Sequence, residues 1–187
     1  MIKIFKNKKR LALTEIFLVI VLITLGIVSR FLPHPFNFTS IAAIALFGGA
    51  YLSLGIGLVL PIIALFISDY FIGFYEPVLM IFVYLCFALC GLIGYFLKKK
   101  KTWYTIGFAS ITSSLIFFII TNFSVWAFTP WYEKTLAGLA KCYTLAIPFF
   151  RNSLMGDLFY TAVLFGAYEL IAYVLRKTFI LIKEKAS

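Results

Sequence analysis

The chain has 187 residues, of which 63% are hydrophobic and 13% are charged, and its formal net charge is +10. This balance excludes a soluble globular domain and indicates an integral membrane protein. The lysines and arginines stand in short clusters beside apolar segments, so the positive charge indicates membrane topology rather than a nucleic-acid partner.

Six apolar segments along the chain read as membrane-spanning helices. They cover residues 12–31, 38–52, 55–72, 77–97, 103–127 and 153–175. The sequence therefore predicts an all-α membrane protein, a single domain over residues 1–187 built as a six-transmembrane-helix bundle in the lipid bilayer.

Two of these segments have an alternative interpretation. Residues 12–31 could be a cleavable signal peptide, but the apolar run exceeds the ~15 residues of a signal and no A-x-A-like site follows it. Residues 38–72 could form one long helix, but Gly55, Gly57 and Pro61 favour a bend. We therefore expect a helix of the mature protein in the first case and two helices in the second.

The basic residues predict the orientation of the bundle. Thirteen of the 17 Lys and Arg residues fall within residues 1–10, 98–101 and 176–187. The positive-inside rule then places these three segments, and with them both termini, in the cytoplasm. We expect a multi-pass protein of the cytoplasmic membrane.

The longest connection, residues 129–152, then lies on the outer face. Within it, apolar residues recur at helical spacing: Leu136, Leu139, Ala140, Tyr143 and Ile147. This pattern predicts a short amphipathic helix that lies on the membrane surface or folds over the mouth of the bundle.

Polar residues from four separate segments fall at the outer ends of the predicted helices. Charged groups near the membrane usually face the bundle interior or a wet cavity. We therefore predict a ligand-binding pocket formed by Arg30, His34, Asn37, Asp69, Tyr70, Asn122, Trp126, Arg151, Asn152 and Asp157. Aromatic residues at the same level are candidate walls, although interfacial belts have the same composition; they are Phe31, Phe36, Phe38, Tyr75, Trp126, Trp131 and Tyr132.

The charged members of this set have two interpretations. Arg30 can grip a carboxylate or phosphate of a ligand through two parallel hydrogen bonds. Alternatively, Arg30 with Asp69, or Arg151 with Asp157, forms an ion pair that only holds the bundle together. The single histidine, His34, has no cysteine or carboxylate at metal-binding spacing, so we predict neither a metal site nor a cofactor.

Small residues mark one face of the second predicted helix. Ala42, Ala45 and Gly49 stand at positions i, i+3 and i+7. Such a ridge allows close helix packing, against either another helix of this chain or a separate docking protein.

A family resemblance rests on the run NFTSIAAIALFGGAYLSLGIGLVLPIIALFISDYFIG, residues 37–73. It resembles the second and third helices of substrate-binding S components of energy-coupling factor transporters, which also have a proline-containing outer loop after helix 1 and an acidic residue closing helix 3. The runs PHPFNFTSIAAIALFGGA and FFRNSLMGDLFYTAVLFG are also similar to an uncharacterised family of small bacterial membrane proteins.

The resemblance implies uptake of a vitamin or cofactor precursor captured from the outer face. It also implies the transmembrane and ATPase subunits of an energy-coupling module as partners, since the chain has no Walker A motif. S components usually carry an A-x-x-x-A docking motif in helix 1, whereas this chain has only Ala12 there. A solitary relative of the S components therefore stays open.

Two other functions are compatible with the composition. A membrane enzyme acting on lipid is one, but the chain lacks G-x-S-x-G and H-E-x-x-H motifs and has one histidine, so we predict no catalytic residues. A structural or assembly subunit of a membrane complex is the other, and it would retain no small molecule.

Overall fold

The computed structural model describes residues 2–185, and within them the side chains of residues 13–178. This part of the chain is helical and contains no strand. The helices are α1 (Ile2–Phe31), α2 (Ile41–Tyr51), α3 (Leu54–Ile72), α4 (Pro77–Phe96), α5 (Trp103–Phe128) and α6 (Leu136–Lys185), and a single 3₁₀ turn, Leu97–Lys99, extends α4. The terminal residues Met1 and Ser187, which we predict in the cytoplasm, lie outside the described residues.

Five of the helices are long and apolar enough to cross a membrane. The qualifying segments within the described residues are Leu13–Phe31, Leu54–Ile72, Pro77–Lys99, Trp103–Phe128 and Leu136–Thr178. The 11 residues of α2 extend about 16 Å at 1.5 Å per residue, about half of a ~30 Å hydrocarbon core. The all-α membrane class is thus confirmed, whereas the predicted span 38–52 is a helix too short to cross alone.

The short helix α2 lies at the centre of the bundle. Every residue from Ile41 to Ala50 is buried, and α2 packs most extensively against α4 and α3 and also contacts α6, α5 and α1. A helix that is apolar on all sides is normally fully enclosed. In α2 the enclosing surface is protein rather than lipid.

The connection between α1 and α2 folds back into the bundle, which explains why α2 is short. Ser40, just before α2, lies 2.8 Å from Ser29 between the two hydroxyl oxygens, and its hydroxyl donates to the Leu25 carbonyl at 3.4 Å. The start of α2 therefore lies beside the last two turns of α1. Within this connection Ser40 is buried, whereas Pro35, Phe36 and Asn37 are exposed.

Glycines allow three helices to cross in contact near the end of α2. A Cβ atom added at Gly49 of α2 would overlap the Gly91 carbonyl oxygen of α4 and lie 2.7 Å from the Tyr95 amide nitrogen. A Cβ atom added at Gly57 of α3 would lie 2.6 Å from the Gly49 Cα atom. Side chains are thus excluded where the backbones of α2, α3 and α4 meet.

The predicted ridge of small residues belongs to this internal packing. Ala42, Ala45 and Gly49 are all buried inside the bundle. The helix-packing interpretation therefore fits, because other helices of this chain cover the ridge.

Lysines close the other end of α2, a region that we call the lysine end and define by Lys98–Lys101. The Lys98 ammonium donates to the Leu52 carbonyl, and the Lys101 ammonium donates to the Ala50 carbonyl at 3.4 Å. These carbonyls have no partner within the helix because they belong to its last turn and cap. The lysines therefore stabilise the helix end through hydrogen bonds and through its dipole.

Helix α6 differs from the prediction. The expected amphipathic helix within 129–152 and the expected span 153–175 form one continuous helix, and the connection from α5 is only residues 129–135. Of the predicted apolar stripe, Tyr143 contacts α5, where its hydroxyl donates to the Ile119 carbonyl at 2.7 Å, whereas Leu136 and Ile147 are 84% and 55% exposed. Pro148 does not end the helix, because neighbouring helices make proline tolerable in membrane helices.

Candidate ligand-binding cavity

A cavity of ≈ 340 Å³ lies at the end of the bundle where α1 ends and α2 begins. Its volume falls within the range of about 300–1,000 Å³ that is typical of small-molecule sites. The lining residues come from every helix and from two connections: Arg30, His34, Asn37, Thr39, Ile41, Leu65, Ile72, Tyr75, Val83, Phe87, Phe117, Ser153 and Asp157. We call it the arginine cavity.

Arg30, in the last turn of α1, is held by an ion pair. Its Nη1 atom lies 2.6 Å from Asp69 Oδ1, and the same nitrogen donates to the Ser68 hydroxyl. The Tyr84 hydroxyl donates to the other Asp69 oxygen at 2.6 Å. Asp69 is 1% exposed and Arg30 is 17% exposed. Arg30 thus lines the cavity and also forms the predicted scaffold pair, so the two interpretations of its role are compatible.

Asp157, on α6, is a second buried carboxylate and lines the cavity itself. It is 7% exposed, and its Oδ2 atom accepts a hydrogen bond of 2.6 Å from the Ser114 hydroxyl of α5. Among the side chains of residues 13–178, the ion pair of Arg30 with Asp69 is the only one. Asp157 therefore has a neutral hydrogen-bond donor but no cation as a partner there.

The connection between α1 and α2 contributes polar groups to the mouth of the cavity. His34 Nδ1 lies 2.8 Å from the Pro35 carbonyl oxygen. Because a carbonyl only accepts, Nδ1 must carry a proton, and in a neutral ring Nε2 is then free to accept. Asn37 has φ = 64°, the left-handed conformation that asparagine tolerates better than most residues.

Aromatic rings form the walls. Phe87 of α4 and Phe117 of α5 have ring centroids 5.1 Å apart with planes inclined by 39°. Tyr75 stands on the connection between α3 and α4, where partial burial, and secondarily the Asp69 carboxylate, raise the pKa of its phenol to about 12. Tyr75 therefore stays neutral near pH 7. Of the predicted aromatic walls only Tyr75 lines this cavity.

Three predicted site residues lie away from the arginine cavity. Tyr70 is 67% exposed and packs edge-on against Phe71. The Trp126 indole donates to the Glu133 carbonyl at 2.9 Å and so fixes the connection between α5 and α6. Asn122 lines a neighbouring cavity of ≈ 250 Å³ that shares lining residues with the first.

Arg151 and Asn152 also lie away from the arginine cavity. They line a surface depression on α6 together with Ile147, Pro148 and Met155. The predicted pair of Arg151 with Asp157 does not form. Six residues along a helix correspond to 600°, so the two side chains point about 120° apart.

The sequence analysis missed several lining residues, of which Thr39, Phe87, Phe117 and Ser153 are examples. It also missed Ser114, although a signal exists: Ser110, Ser113 and Ser114 stand at i, i+3 and i+4 in an apolar helix and are all buried. Such spacing marks one polar face. Asp157 lies opposite this face.

Metal binding has no support in this part of the molecule. Among the described residues, no three His, Cys, Asp or Glu side chains come close enough to hold an ion.

Five membrane-length helices around a buried sixth define a multi-pass helical membrane protein. More specifically, the chain belongs to a family of unknown function, DUF6580, whose model matches residues 10–179. No curated protein and no solved structure matches the chain.

Proposed function

We propose that this protein binds a small molecule from the outer side of the cytoplasmic membrane for uptake, as an S component of an energy-coupling factor transporter or as a solitary relative. The observation that carries the proposal is the arginine cavity, in which a buried carboxylate, an ion-paired arginine and aromatic rings surround a space of ligand size. Sites for small molecules typically combine apolar walls with a few converging polar groups.

A six-crossing topology supports capture from outside. In this topology the connection 32–40 and α2 together would act as one crossing, since they link the arginine cavity to the lysine end. With Lys98–Lys101 in the cytoplasm under the positive-inside rule, the arginine cavity faces outward. Both termini are then cytoplasmic.

A vitamin or cofactor precursor is the ligand class that we propose. Flat aromatic rings such as Phe87 and Phe117 favour a planar molecule through offset stacking and edge contacts. The polar groups Asn37, Thr39 and Ser153 stand around the same space, where they can select for hydrogen-bonding edges. Transport would draw on an energising module in the membrane, since the chain has no ATP-binding motif.

The test is mass spectrometry of small molecules that co-purify with the detergent-solubilised protein. Val83→Trp on α4 places a large ring at the cavity lining. Ile81→Trp is the matched control, since Ile81 lies on the same helix and is 59% exposed. We expect a compound that is retained by the wild type and by Ile81→Trp and lost from Val83→Trp.

Two results would contradict the proposal. One is that the wild type retains no compound other than lipid and detergent. The other is that Val83→Trp, eluting as a folded monodisperse protein, retains the compound as well as the control does.

A further inference from the structure

We infer that the ligand of the arginine cavity is a planar molecule with a protonated nitrogen, and that Asp157 is the counter-ion of that nitrogen. This inference rests on the proposed function and names the chemical class of its ligand. It departs from the expectation that Arg30 grips an anionic group.

The arginine cavity and its supports contain more acidic than basic side chains. Among the described residues that line the cavity, Arg30 is the single arginine or lysine. The Asp69 carboxylate already neutralises it at 2.6 Å. Asp157 adds a second carboxylate without a second cation. When Asp157 is ionised and His34 is neutral, the cavity and its immediate supports carry one net negative charge.

His34 is the other side chain in the cavity that could supply a positive charge. His34 lines the same cavity, but it forms no ion pair with Asp157, and its Nδ1 proton is directed to the Pro35 carbonyl. The charge of Asp157 is therefore not balanced by this side chain.

Burial of the Asp157 carboxylate costs free energy. A buried charge is unfavourable unless it is paired and hydrogen-bonded. Ser114 supplies one hydrogen bond, to Oδ2. A ligand ammonium or amidinium group would supply the missing charge and a charge-assisted bond, which is stronger than a neutral one.

The aromatic walls of the cavity favour cations over anions. The faces of aromatic rings carry negative potential and attract cations. An anion would meet the rings of Phe87 and Phe117 and the Asp157 carboxylate, and its sole attractive charge would be the neutralised Arg30. The cavity is therefore built to reject anions as well as to accept cations.

The test uses three planar probes of nearly equal size: benzamidine, a cation; benzamide, which is neutral; and benzoate, an anion. Their affinities for the purified full-length protein are measured by calorimetry after removal of any retained compound. Asp157→Asn keeps the shape of the side chain and removes its charge. Glu169→Gln removes a charge from the same helix at the lysine end, where Glu169 accepts from the Tyr51 hydroxyl.

We expect the wild type to bind benzamidine at least about tenfold more tightly than benzoate, which is the scale of a close charge pair. Asp157→Asn should remove this preference while benzamide binding stays within about threefold, and Glu169→Gln should retain it. The comparison of probes on the wild type decides the question even if Asp157→Asn does not fold.

Three outcomes would overturn the inference. Benzoate that binds as tightly as benzamidine, with Val83→Trp abolishing both, would remove the cation class and leave the proposed binding function intact. An unchanged preference in folded Asp157→Asn would remove Asp157 as the counter-ion. Failure of all three probes to bind would also overturn it, and the retained-compound measurement then decides the proposed function separately.

Discussion

The two ends of α2 show opposite uses of space in one buried helix. Near its end, at Gly48 and Gly49, the backbone of α2 touches the backbones of α3 and α4, and no side chain fits between them. Near its start, at Ile41, the helix borders a cavity of ≈ 340 Å³ with buried charges around it. The glycine crossing thus brings three helices into direct contact at one end of α2, whereas the connection 32–40 borders an open, polar space at the other.

The glycine crossing offers the largest expected effect. Gly49→Val would force the backbones of α2 and α4 apart, because even a Cβ atom overlaps the Gly91 carbonyl oxygen. We expect a loss of at least about 3 kcal/mol, the upper range for overpacking, or no folded protein. Thermal unfolding and size-exclusion elution in detergent measure this.

Gly107→Ala is the matched control. Gly107 lies within α5 and has no atom within 4 Å of its added Cβ position. We expect no loss and a gain of up to about 1 kcal/mol from helix propensity. Equal behaviour of the two variants would show that the crossing does not determine stability.

Loss of the ion pair between Arg30 and Asp69 should have the next largest effect on stability. Arg30→Ala leaves the Asp69 carboxylate buried with only the Tyr84 hydroxyl as its partner, and removing one member of a buried pair costs about 3–5 kcal/mol. The double variant Arg30→Ala/Asp69→Ala should recover part of this loss in thermal unfolding of the ligand-free protein. A stable single variant, or a double variant that loses the sum of the two single losses, would contradict the scaffold role.

The lysine end offers the smallest effect. Tyr51→Phe removes the hydroxyl that donates to Glu169 Oε1 at 2.6 Å and keeps the ring over which Lys101 lies at 4.3 Å. We expect a loss of about 0.5–1.5 kcal/mol in thermal unfolding, the usual net value of one hydrogen bond. Tyr104→Phe, at a residue that is 88% exposed, should change nothing, and an equal loss in both variants would argue against the hydrogen bond.

The sequence predicts the helical class well because hydropathy is a local property. It does not predict that α2 is too short, since the depth of the 32–40 connection depends on the contact of Ser40 with Ser29 across the fold. It also separates the amphipathic helix within 129–152 from the span 153–175, whereas the structure joins them in one helix, because the support that α5 gives here is tertiary. Local patterns thus give the type of each element but not its extent.

The candidate site was predictable in part for the same reason. Charges in an apolar chain draw attention wherever they occur, so Arg30, His34, Asn37 and Asp157 were named from the sequence and do line one cavity. Phe87 and Phe117 line it too, but 22 phenylalanines in the chain give no local signal of which ones do. Arg151 lines a separate depression on α6, because its side chain points about 120° away from that of Asp157 around the helix.

The central claim is that the arginine cavity is reached from outside the cell and the lysine end from the cytoplasm. Labelling with a membrane-impermeant maleimide tests it on His34→Cys and Lys100→Cys, and the native cysteines Cys86, Cys90 and Cys142 do not compete because they are buried. The account predicts that His34→Cys is labelled in intact cells and that Lys100→Cys is labelled only after the cells are opened. The reverse pattern would contradict it.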